Sequence, residues 1–182
     1  FLYCVHILSA VLTALVLRPK NIPAPAKPDD FPQTLRAAPL FVQAVLSAGC
    51  ASLHVSAFVL VFSVILSLAR QTGLFSLVLS VSAPLCSAFG LSDGTGVLIG
   101  LLELTQGLAH LTPHAGTLAA RLTTVSFLCA FGGVSVLFQT AAVTDGLAFR
   151  ACLRGKLVHA LLAALVCAVA LHVVPTSWLE SL

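Results

Sequence analysis

Apolar residues fill this chain in long unbroken runs, and polar residues gather between them. The runs fall at about 1–17, 40–69, 73–91, 96–112, 122–143 and 157–174. A helix needs about 20 apolar residues to cross the hydrocarbon core of a bilayer. Run 40–69 meets that length as one tilted helix with an amphipathic lead-in. Runs 122–143 and 157–174 are ordinary spans. Run 1–17 reads as the end of a span that began upstream. A membrane β-barrel would alternate apolar and polar positions over roughly ten-residue strands instead. The pattern predicts an all-α, polytopic helical membrane protein.

The third and fourth runs differ from the rest. Both are short, and Ser92-Asp93-Gly94-Thr95-Gly96 lies between them. Pro84 interrupts the first; Glu103, Thr105, Gln106 and Gly107 interrupt the second. Short hydrophobic segments broken by Gly or Pro point to discontinuous helices or a re-entrant hairpin. Two thin ordinary spans are the alternative on length alone. In a hairpin, Asp93-Gly94 would form the turn at the tip.

Composition narrows the class. Charged residues make up 8% of the 182, and hydrophobic residues 59%. Soluble domains carry roughly 25% charged residues. A soluble enzyme domain, a coiled coil, a disordered chain and a disulfide-stapled module are therefore excluded. There is no Met, and Phe1 to Val5 already read as the inside of a span. The expectation is that an N-terminal part precedes Phe1. Cys4, Cys50, Cys86, Cys129, Cys152 and Cys167 are scattered without a CxxC pair. They read as small, buried, reduced hydrophobes.

The basic residues predict an orientation. Arg18, Lys20, Lys27 and Arg36 share loop 18–36, and Arg150, Arg154 and Lys156 share loop 144–156. Those seven fall on one side of the membrane, against Arg70 and Arg121 on the other. The positive-inside rule places both loops in the cytoplasm of a multi-pass cell-membrane protein. The tail 175–182 falls outside. Loop 18–36 is rich in proline (Pro19, Pro23, Pro25, Pro28, Pro32), which favours an extended linker. The expected organisation is a span end at 1–17, the linker at 18–36, a transmembrane repeat at 37–174, and the tail. The net charge of +3 is a topology signal and implies no nucleic acid.

In so apolar a chain the polar residues at membrane depth carry the chemistry, because each must find a partner. Glu103 has apolar residues on both sides. An ionised carboxylate costs about 2.5–3.5 kcal/mol to insert at the bilayer centre. Glu103 is therefore a solute ligand, an ion ligand or proton carrier, or a cap on a broken helix end. Gly132-Gly133 interrupts run 122–143, either to unwind the helix and free its carbonyls or to let two helices pack closely. Gln139 should face protein or water, as a ligand contact or a bridge to a neighbouring helix. Ser52, Ser56, Ser63 and Ser67 lie on one helical face and read as a small-residue packing stripe. His54 reads as a hydrogen-bonded structural group. Ala160, Ala164 and Ala168 form a similar small-residue face. Arg150, Arg154 and Lys156 read as an interfacial anchor. Asp145 caps a helix or pairs with Arg150. The sequence holds no P-loop, GxGxxG, HExxH or GxSxG motif and no metal-spaced cluster. No cofactor and no enzymatic activity are expected.

Two segments carry a family resemblance: Gly100-Leu101-Leu102-Glu103-Leu104-Thr105-Gln106-Gly107, and Phe131-Gly132-Gly133 followed by Gln139. In these the chain resembles the sporulation integral membrane proteins of the YlbJ type, which carry the nucleoside-recognition or Gate domain. The order of segments is similar as well. His6 to Ser9 ends a span, Val61-Phe62-Ser63-Val64 lies in a long helix, and Lys156 opens the final span. The similarity covers about residues 1–172 and corresponds to the C-terminal of two Gate-type halves. It departs at Ser56-Ala57, where the family pattern has Gly-Gly. The resemblance implies a bacterial membrane protein of an endospore-forming lineage, distantly related to concentrative nucleoside transporters. It implies partnership with an N-terminal half or a homologous repeat. It also implies a nucleoside-like solute or coupling ion, held by Glu103, Thr105, Gln106, Gly132, Gly133 and Gln139. A structural or assembly role in the spore membrane, with no solute, is the alternative.

Overall fold

The computed structural model describes residues 1–18, 37–88, 90–91, 94–111, 116–143 and 149–173. The proline-rich stretch 19–36, Asp93, Asp145 and the tail 175–182 lie outside the described residues. Among the described residues all regular structure is helical: α1 (Leu2–Val16), α2 (Ala37–Gln71), α3 (Leu74–Ala88), α4 (Thr95–Leu102), α5 (Leu104–His110), α6 (Leu118–Phe131), α7 (Gly133–Val143) and α8 (Phe149–Val173). The expected all-α polytopic architecture holds. Leu40–Gln71, Leu118–Ala142 and Phe149–Val173 are long and apolar enough to cross a membrane.

Most of the apolar surface points outward. Leu60, Val64, Leu77, Val81, Leu161 and Val169 are all exposed. In water such a surface would drive association; in lipid it is the solvated face. The buried core is correspondingly small and is built where helices approach closely. Ala130, Phe131, Leu137, Ala160 and Ala163 form its centre, with Phe127, Phe149, Cys152 and Leu153 packed around it. α8 contributes Ala160, Ala163 and Cys167, all fully buried. Small side chains there let α6 and α1 lie against α8, as a membrane interface without a strong hydrophobic drive requires. The small-residue face expected at Ala160 is present, but it continues through Ala163 and Cys167.

Several expectations are corrected. Pro84 does not break its segment: α3 runs through it to Ala88. The turn expected at Asp93-Gly94 falls partly outside the described residues. The break falls inside the fourth run, where Glu103 leaves helical geometry with φ −138 and ψ 114, between α4 and α5. Each arm is about two turns long, about 10–12 Å at the α-helical rise, so neither spans a bilayer. The last helix starts at Phe149 rather than at residue 157. Arg150, Arg154 and Lys156 are thus helical, because long basic side chains extend an apolar helix into the interface without breaking it. Of the serine stripe only Ser63 is part-buried within the described residues; Ser52, Ser56 and Ser67 are exposed, and so is His54. All six cysteines are free, but Cys4 and Cys50 are exposed and only Cys86 and Cys167 are buried.

Candidate functional site

The two interrupted segments meet. α4 and α5 fold back on each other with glycine at every close approach. A Cβ on Gly107 would strike the Cα and N of Gly100, and one on Gly96 would lie 2.9 Å from Leu111 Cγ. The hairpin this creates carries Glu103 at its tip. The tip packs on the break between α6 and α7, where a Cβ on Gly133 would lie 3.0 Å from Gly100 O and 3.3 Å from Leu102 O. Gly132 and Gly133 both hold positive φ, 79° and 77°. That is the left-handed region only glycine enters without strain. The pair interrupts the span at Gly132 and lets the hairpin approach its backbone at Gly133.

Glu103 is 2% exposed. It is the N-cap of α5, and its carboxylate accepts from Thr105 N at 3.2 Å, Gln106 N at 2.8 Å and Thr105 Oγ1 at 2.7 Å. The first turn of a helix leaves N–H groups without intrahelical partners, and this carboxylate satisfies two of them. The negative charge also lies at the positive end of the α5 dipole. Gln106 reaches the other way and donates through Nε2 to Ser63 Oγ on α2. Ser63 is thus the member of the serine stripe with a partner on another element.

Gln139 does not join this cluster. Its Nε2 donates to Ser135 Oγ, 3.2 Å away and one turn earlier on α7. The side chain that does join is Lys156. Its Nζ donates to Phe131 O at 3.2 Å, across 25 residues of sequence, and caps the last carbonyl of α6. The sequence assigns Lys156 to the interface, where such residues usually snorkel; the start of α8 at Phe149 instead puts it some two turns inside the helix. Thus Glu103, Thr105, Gln106, Gly132 and Gly133 come together, with Ser63 and Lys156 added.

A second polar cluster joins α1 to α8. His159 Nε2 lies 3.1 Å from the fully buried Ser9 Oγ, and the His6 and His159 rings meet edge to face at 5.9 Å. Ser9 Oγ donates to His6 O at 3.0 Å. The direction of the His159–Ser9 contact depends on the tautomer of His159. Among the described residues no group of three or more His, Cys, Asp or Glu is placed to hold a metal ion. Between α2 and α7 lies an open groove of about 380 Å³ lined by Ala57, Phe58, Val61, Phe62, Ile65 and Phe138. It has no polar wall.

Comparison with protein-family models, with curated proteins and with solved structures gives no match to this chain.

Proposed function

We propose that the chain is the solute-binding half of a permease of the nucleoside-transporter-like Gate type, with the α4–α5 tip and the Gly132-Gly133 break as its site. The observation that carries this reading is the meeting of two discontinuous helices at one point. Membrane transporters bind solutes and coupling ions at such places, because half-helix ends present unpaired backbone groups and partial charges at membrane depth. Here one half-helix starts at Glu103 and another ends at Phe131. Side chains with spare hydrogen-bonding capacity, Thr105 and Gln106, stand beside them. A nucleoside offers ribose hydroxyls and base edges that such donors and acceptors recognise. An N-terminal half, or a homologous repeat, would complete the site.

The test is uptake of radiolabelled uridine and adenosine into proteoliposomes holding the full-length protein. Glu103→Gln should reduce uptake at least tenfold. Uptake that persists in the variant removes Glu103 from the site.

A second reading has its own support. Three hydrogen bonds to Glu103 are internal to the α5 cap, so both carboxylate oxygens already have a donor without a solute. On that reading the protein is a structural component of the spore membrane. It then takes up no nucleoside, and Glu103→Gln lowers only its thermal stability.

A further inference from the structure

We propose that the ammonium of Lys156 is a built-in cation at the α6–α7 break, occupying the position where a broken membrane helix otherwise recruits a monovalent metal ion. α6 stops at Phe131, so its last carbonyls lose their intrahelical donors. Gly132 N bonds back to Leu128 O at 2.7 Å and satisfies one. Phe131 O is left to an external group. The C-terminal end of α6 also carries a partial negative charge of about half a unit. Backbone carbonyls freed in this way coordinate sodium in transporters built on discontinuous helices.

Here the positive group is covalently attached. Lys156 Nζ sits 3.2 Å from Phe131 O. The space it uses exists because residue 132 has no side chain: a Cβ there would lie 3.0 Å from Nζ. Gly132 therefore has two reasons to be glycine, its positive φ and the ammonium beside it. An ammonium has one charge and seeks carbonyl oxygens, as a bound sodium ion does. The two exclude each other from one position. The break is charge-complete without a metal ion, and its geometry does not depend on sodium. The functional consequence, solute movement that needs no sodium gradient, rests on the permease reading; the cation's place in the fold does not.

The experiment is thermal unfolding of the full-length protein in detergent, in sodium, potassium or N-methyl-D-glucamine chloride at equal ionic strength. The wild type should melt at one temperature in all three. Lys156→Ala should melt several degrees lower in N-methyl-D-glucamine and regain part of the loss saturably in sodium or potassium. Lys156→Arg should stay insensitive to the cation. If Lys156→Ala does not accumulate, Lys156→Gln replaces it. That variant keeps a hydrogen bond to Phe131 O without the charge, and the same cation response is expected. A wild type stabilised saturably by sodium overturns the proposal. So does a Lys156→Ala or Lys156→Gln protein that melts like the wild type, or one whose loss no cation recovers. Nucleoside uptake is not read, so failure of the permease reading leaves this outcome intact.

Discussion

At the scale of single residues, the glycines of the helices divide sharply by what a methyl group would meet. At Gly107 it would meet the backbone of Gly100, which cannot rotate aside. At Gly49, midway along α2, there is nothing within 4 Å. Gly107→Ala should therefore destabilise the protein by about 1–3 kcal/mol, the usual cost of overpacking. Gly49→Ala should be neutral or gain about 0.5–1 kcal/mol from reduced backbone entropy of the unfolded helix. Chemical unfolding of the two variants side by side checks this, and equal effects would mean the α4–α5 contact is looser than the structure has it. Glu103 belongs to the same scale. Its chemistry is set by what its three donors leave over, and the permease reading requires a solute to compete for an oxygen already engaged by Thr105.

At the scale of elements, two polar contacts join the α4–α5 hairpin to the long helix α2, Arg70 to His110 at its end and Gln106 to Ser63 further in. In lipid such a bond has few competitors, yet interhelical hydrogen bonds in membranes average only about 0.6 kcal/mol and reach about 1.7. A double-mutant cycle of Gln106→Leu and Ser63→Ala should give a coupling energy in that range, and zero coupling would remove the latch. The elements themselves were largely readable. Runs 40–69 and 122–143 locate α2 and the α6–α7 span, because apolar length is a direct consequence of bilayer thickness. The break at Gly132-Gly133 was visible as two residues free to take positive φ. The turn at Glu103 was less legible than its interruption of the run, because it depends on Gly96, Gly100 and Gly107 packing across it. Lys156 and Phe131 were not legible as a pair, nor were Ser9 and His159. Each joins residues far apart in sequence, and only the antiparallel packing of α8 on α6 and α1 brings them into register.

At the scale of the whole molecule, contacts sort the helix ends into two groups. Leu17, past the end of α1, reaches Gly155 near the start of α8, where a Cβ would lie 4.0 Å from its side chain. Arg70, at the end of α2, hydrogen-bonds His110, at the end of α5, at 3.1 Å. Gly90 lies beside Gly116 and Ala120, at the start of α6. The first group carries Arg18, Arg150 and Arg154, and the second carries Arg70 and Arg121. Basic residues are retained on the cytoplasmic side during insertion, so the first group is expected inside and the second outside. Single cysteines placed at Arg18, Arg150 and Arg70 in a cysteine-free background measure this with a membrane-impermeant maleimide. In intact cells Arg70→Cys should be labelled, while Arg18→Cys and Arg150→Cys should react only after lysis. The hairpin adds a second requirement. Its arms enter and leave through Gly96 and Leu111, which pack together at the Arg70 end, so Leu111→Cys should label from outside along with Arg70→Cys. Labelling of Leu111→Cys from the opposite side would make α4 and α5 parts of a crossing rather than a re-entrant pair. The Glu103 tip would then no longer be a mid-membrane feature, and the permease reading would lose its geometric basis along with it.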